Sequence, residues 1–228
     1  MRTIGIRVFV LATALLALAV SIPPMLAQEG RPPVGRVAYH FVARLLESHT
    51  GTFFVIGYVN FLDGVSAPLF DVAHGVPGEK TALMTFRSDV FSATQIYNGN
   101  VLVLNWPPAP SAPVVKFYLN NSPNQDWSQP DSFSGGQLIG SFSARVGQIA
   151  LDLTGTTAVV TYSYDWMSTQ NFSLGGKMVN LDRLSPGGGT ISNYVSTTPV
   201  STTVVGFPDW IELTSAGTSF VIGSGGKD

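Results

Sequence analysis

"VAYHFVARLLESHTGTFFVIGYVNFL", residues 37–62, admits two architectures. Its first part, residues 37–47, contains Ala, Arg, Leu and Glu, all good helix formers. Its last part, residues 52–62, is dominated by β-branched and aromatic side chains, which suit a pleated strand. The link "SHTG" is short, polar and contains glycine, as a hairpin turn requires. A strand at 52–62 needs an edge to pair with, and 37–47 is its neighbour across that turn. The stretch therefore reads as a β-hairpin. Residues 52–62 are apolar on both faces, which marks a central strand covered on both sides.

The same grammar continues downstream. Residues 80–91 alternate, with Ala82, Met84, Phe86 and Val90 on one side and Thr81, Thr85, Arg87 and Asp89 on the other. A period of two predicts a half-buried strand, the first set in the core and Thr85 and Arg87 toward solvent or a polar cleft. "NGN" at 98–100 is a strong hairpin signal ahead of Val101–Trp106. "PPAPSAP" at 107–113 is a stiff connector. Further short strands are expected at 114–119, 139–144, 147–153, 157–166, 171–174, 177–181, 204–207, 210–213 and 219–222. No long helical periodicity and no internal repeat follow residue 27. The expected fold is all-β: a single antiparallel β-barrel or two-sheet β-sandwich of about nine to eleven strands. Residues 120–136 and 185–199 read as long loops, a type that often carries function.

The N-terminus reads as a targeting segment. Arg2 and Arg7 precede an uncharged apolar run, residues 8–22, and Ala27 offers a small residue for cleavage. The run is short of the roughly 20 residues a spanning helix needs. The expected organisation is a signal peptide at 1–27, a flexible lead-in at 28–35, a single β-domain at 36–223 and a flexible tail at 224–228. Such a chain is secreted, to an extracellular or periplasmic location, with no membrane span in its mature part. "NFS" at 171–173 and "NNS" at 120–122 fit the N-glycosylation pattern, which occurs by chance in an Asn- and Ser-rich chain.

Composition narrows the chemistry. The chain has no cysteine, so thiol catalysis and thiolate metal sites are excluded. Its net charge is −2 with few charges of either sign, so it lacks the basic face that nucleic acid requires. The densest polar cluster is "FDVAHGVPGEK", residues 70–80, with Asp71, His74 and Glu79. These residue types bind zinc or serve as acid and base. They follow no ligand spacing, and Gly75, Pro77 and Gly78 explain the segment as a turn. The expectation is a structural connection with no metal and no cofactor. No Gly-x-Ser-x-Gly elbow is present. Asp126, Asp152, Asp165 and Asp182 stand on or near strand ends, and two such carboxylates across a cleft suit a glycosidase.

The aromatic residues are the more general signal. Trp127, Phe133, Tyr162, Tyr164, Trp166 and Tyr194 form the candidate ligand-binding set, because rings stack on apolar ligands and sugar faces. Tyr162, Tyr164 and Trp166 fall at alternate positions and share one strand face, either a barrel lining or a sandwich core. Two function classes stay open. One is a non-enzymatic module for a small apolar or carbohydrate ligand or a surface partner. The other is an extracellular hydrolase or isomerase working through carboxylates.

Overall fold

The computed structural model describes residues 32–108, 110–200 and 203–222. The expected signal peptide, the first half of the lead-in and the C-terminal tail lie outside the described residues. Among the described residues thirteen strands form: β1 (Val37–Ser48), β2 (Thr52–Leu62), β3 (Met84–Ser88), β4 (Phe91–Ser92), β5 (Thr94–Asn98), β6 (Val101–Trp106), β7 (Val114–Leu119), β8 (Gln137–Asp152), β9 (Thr157–Thr169), β10 (Phe172–Leu174), β11 (Lys177–Val179), β12 (Gly188–Val200) and β13 (Trp210–Val221). One short helix, α1 (Leu181–Leu184), precedes β12.

Eight strands close a barrel in the order β1-β2-β3-β7-β8-β9-β12-β13, each antiparallel to its neighbours. The β8–β9 pairing closes the ring. The protein is thus an antiparallel barrel and not a sandwich. The opening hairpin forms as read: β1 pairs β2 from Tyr39↔Leu62 to Glu47↔Phe53. Its turn is fixed by Ser48, whose hydroxyl accepts from the N–H groups of Thr50 (3.2 Å) and Thr52 (3.0 Å). Extra strands decorate the barrel. The β5–β6 hairpin lies on the second half of β8, from Val101↔Asp152 to Trp106↔Gly147. On the first half of that strand the neighbour is β7, from Leu119↔Gln137 to Val114↔Ser143. The two-residue β4 pairs with the start of β2, and β10–β11 form a separate hairpin.

Several sequence expectations change. Residues 139–144 and 147–153 belong to one strand, β8, which bends through a register shift between Ala144 and Gly147. Residues 210–213 and 219–222 likewise merge into β13. The presumed loop at 185–199 is mostly β12, hydrogen-bonded on both sides. Its Gly, Ser, Thr and Pro content resembles a loop, yet two neighbouring strands satisfy its backbone. Residues 204–207 form a turn and not a strand. In the 80–91 stretch only Met84–Ser88 and Phe91–Ser92 are strand. Ala82, Met84 and Phe86 are buried as expected, but Val90 is exposed at the break between β3 and β4. Thr85 is fully buried, because its hydroxyl donates to the Phe133 carbonyl (2.9 Å) beneath the 120–136 segment.

Three apolar clusters hold the molecule together. Tyr39, Phe41, Phe86, Phe117, Phe142, Tyr164 and Ile191 belong to the largest, inside the barrel. Leu45, Phe53, Trp106, Ile149, Val160 and Val195 form a second, toward the β1–β2 turn. The third lies outside the barrel wall: Leu46, Phe54, Ile56, Phe133 and Val204, with Trp127, Phe207 and Trp210 packed on it. It is the cover that the two-faced apolar pattern of β2 predicts.

Candidate functional site

Between the two inner clusters the barrel holds a cavity of ≈ 70 Å³. Its wall draws Tyr39, Phe41, Phe86 and Phe117 from one cluster and Leu45, Trp106, Ile149 and Val195 from the other. A closed eight-stranded barrel has an interior just wide enough to be filled by side chains or to hold one small ligand. Two glycines shape this interior. A Cβ at Gly147 would lie 2.2 Å from the Trp106 ring and 2.3 Å from Tyr162 Cβ, so glycine lets the indole cross over β8. The indole is then pinned by its Nε1–H, which donates to the Arg145 carbonyl (2.8 Å). A Cβ at Gly217 would lie 2.3 Å from Asn193 Cβ, its register partner on β12.

Polar groups in the wall are few. Asn193 and Ser215 are buried on β12 and β13, and the Asn193 amide donates to the Ser215 hydroxyl (2.7 Å). Ser88 accepts from the Val55 N–H (2.8 Å), extending the β2–β3 ladder through a side chain. Tyr39 and Tyr162 complete the set. Burial first, and the neighbouring Tyr164 phenol second, raise the Tyr162 pKa above the ordinary tyrosine value. Tyr162 is therefore a neutral hydroxyl at physiological pH.

The aromatic candidates are not one site. Tyr162 lines the cavity and meets the Trp106 ring edge-on at 5.3 Å between centroids. Tyr164 is fully buried at one side of it, stacked on Phe142 at 4.3 Å. Its hydroxyl bonds Ser219 (2.9 Å) and Ser185 (3.1 Å). Tyr39 sits beside this pair, close enough for both phenols to influence each other, though its hydroxyl is not aligned for a hydrogen bond. Burial pushes the pKa of both phenols up. The Trp166 indole donates to the Ser185 carbonyl (3.0 Å), so the Tyr164–Trp166 end is a structural network. Trp127 and Phe133 stack on each other at 4.7 Å on the outer wall, with Arg44 lying 4.9 Å over the Trp127 ring. Their rings fasten the 120–136 segment to the barrel. Tyr194 is 66% exposed on the outer face of β12.

The ionisable candidates also disperse. Asp71 bonds the exposed His74 at 2.6 Å, while Glu79 starts a 3-10 turn. Among the described residues no group of three or more His, Cys, Asp or Glu is arranged to hold a metal ion. Asp126 accepts from Ser128, and Asp152 from Thr154. Asp165 takes two bonds from Arg145 (2.6 and 2.5 Å), and Asp182 accepts from the Gly187 N–H (2.8 Å). No carboxylate, histidine, lysine or arginine lines the cavity.

Sequence reasoning missed Asn193, Ser215, Ser88 and Trp106. The signal for Asn193 was present: Ile191, Asn193 and Val195 alternate inward along β12. The loop-like composition around them concealed it. Compared with protein-family models, curated proteins and solved structures, the chain matches none.

Proposed function

We propose that this protein is an exported β-barrel that binds a small, largely apolar molecule in its interior, without catalysing a reaction on it. The observation that carries this reading is the cavity between the two inner clusters, walled by rings and aliphatic groups with a handful of neutral polar side chains. Apolar walls with few placed polar groups characterise small-molecule sites. The wall favours an apolar ligand over a carbohydrate, whose many hydroxyls need more partners than it offers. It also disfavours the hydrolase reading, because acid–base catalysis needs groups that exchange protons near neutral pH.

The N-terminal basic, apolar, small-residue order supports export. The outer wall is mixed: the transverse row through His40, Thr218, Ser192 and Thr161 is polar, and the adjacent row through Val42, Ala216, Tyr194 and Val159 is apolar.

Methyl chemical-shift mapping with xenon, a probe small enough for this void, tests binding. Saturable shifts confined to Leu45, Val55, Val115, Ile149 and Ile191 are expected. Shifts that never saturate, or that map to the outer wall, overturn the proposal.

A further inference from the structure

We infer that the cavity selects uncharged ligands bearing one carbonyl group, held by Tyr162 and Asn193, with the apolar body against the aromatic wall of β3 and β7. This inference rests on the binding reading above and specifies its ligand class.

Three of the wall's polar groups are neighbours, while Ser88 on β3 and the Tyr39 phenol on β1 stand apart from them. Tyr162 lies opposite Ile191, and Val160 opposite Asn193, so Tyr162 and Asn193 are two positions apart on adjacent strands and on the same face. Such diagonal neighbours stand roughly 7–8 Å apart at the backbone, which leaves an oxygen atom room between their tips. On the next strand Ser215 faces Val195, one more diagonal step. β9, β12 and β13 thus present a polar strip, Tyr162–Asn193–Ser215, on one side of the cavity. The facing wall is Phe86 on β3 and Phe117 on β7, with Phe91 and Trp106 toward the β1–β2 turn. One side of the cavity thus carries three neighbouring polar groups, and the facing side carries rings with Ser88 beside them.

The chemistry of the strip fixes what it recognises. The Asn193 amide has two hydrogens and commits one to Ser215. The second is not used in that bond. Tyr162 keeps its proton, because burial opposes the phenolate. With both hydrogens turned toward the void the strip offers two neutral donors, beside the Ser215 hydroxyl and the Asn193 Oδ1. A carbonyl oxygen has two lone pairs and accepts both. A carboxylate or an ammonium would enter an interior with no counter-charge in its lining, at a large desolvation cost. A pure hydrocarbon would leave the amide and phenol facing apolar surface. A site built to hydrogen-bond a ligand oxygen rejects the analogue that lacks it.

The test compares acetone with isobutene, which share one planar frame of four heavy atoms and differ by the carbonyl. Dissociation constants come from NMR titration of the mature chain and of Tyr162→Phe and Asn193→Leu. Tyr162→Phe removes one oxygen and keeps the ring. Asn193→Leu keeps the size and loses the amide. The native protein should bind acetone about tenfold tighter than isobutene, one net hydrogen bond's worth. Each variant should reduce that preference severalfold by weakening acetone binding. Equal affinity of the native protein for the two compounds overturns the carbonyl inference while leaving the binding reading intact. So does a preference that neither variant moves. Tyr162→Phe carries the decision if Asn193→Leu does not fold. Failure of both compounds to bind overturns the binding reading and the inference with it.

Discussion

The two faces of β2 are both buried, and they are built for different ends. Phe54 and Ile56 point outward into a packed cluster with Phe133, Val204 and Leu46. Phe53 and Val59 point inward to the two inner clusters, and Val55 between them lines the cavity. The outer face uses aromatic contact to clamp the 120–136 and 204–210 segments: Phe54 meets Phe207 at 4.6 Å and Trp210 at 5.3 Å. The inner face stops short of filling its space. One strand, with one alternating pattern, therefore supports a solid seam on one side and a void on the other. The lesson is that burial alone does not identify a site. What distinguishes the inner side is unfilled volume with polar groups facing it.

The largest expected effect comes from truncating each side in turn. Phe54→Ala should cost about 3–5 kcal/mol, since the ring is fully buried in a packed cluster. Phe86→Ala on the inner side should fall at or below the low end of that range, because part of its ring already faces the cavity. Urea denaturation of both variants measures the difference. Equal losses would mean that the inner side is as tightly packed as the outer.

Alkaline stability probes the inner side separately. Tyr39, Tyr162 and Tyr164 all have pKa values raised chiefly by burial. A raised phenol pKa means that the folded state holds the proton more tightly than the unfolded chain. The resulting stability is complete below the unfolded tyrosine value, about pH 10, and is lost as pH rises through the folded values. Ultraviolet titration should show these three tyrosines ionising only in a cooperative step with loss of near-UV circular dichroism. Reversible ionisation of all seven tyrosines near pH 10 in the folded protein would contradict it.

Adding one methylene to each side should have opposite signs. Val160→Leu extends into the cavity and should stabilise by about 0.5–1 kcal/mol, as cavity filling does. Val204→Leu pushes into the packed outer cluster and should destabilise by about 1–3 kcal/mol. Thermal denaturation reads both. The same Val160→Leu variant should weaken xenon binding, which separates ligand space from a packing defect.

Much of the outer seam and little of the site was legible in the sequence. The hairpin at 37–62 and the double coverage of β2 follow from residue type and period, which are local properties. The inward set Ala82, Met84 and Phe86 follows from the same period. Thr85 did not, because its cover is a segment about fifty residues downstream, and non-local cover leaves no trace in a strand's own period. The site failed for a related reason. Tyr162 could be placed on an inward face, but its partner Asn193 sits in a stretch whose Gly, Ser, Thr and Pro residues imitate a loop. Only the pairing of β12 with both β9 and β13 turns that composition into a strand and brings the two residues together. Trp127 and Phe133 stand out as aromatics in a polar loop, but their rings pack on the barrel wall and on each other.

The smallest effect concerns how the outer cover is pinned. Asp126 precedes Trp127, and its carboxylate accepts from both the hydroxyl and the N–H of Ser128, each at 2.8 Å. The hydroxyl bond first, and the backbone bond second, lower its pKa. A lowered carboxyl pKa means that the folded state favours the ionised form. The contribution is present above the unfolded value, about pH 4, and is lost as pH falls through the folded one. The group is partly in water, so screening keeps the effect on the order of 0.5–1 kcal/mol. Asp126→Ala should therefore lower stability by that amount at pH 7 and by almost nothing at pH 2. It should also loosen Trp127 over Arg44, seen as a red shift of tryptophan emission at pH 7, without altering xenon affinity. A change in xenon affinity would mean that the outer cover and the cavity are coupled through β2, and the separation of its two faces would then fail as a description of how the protein works.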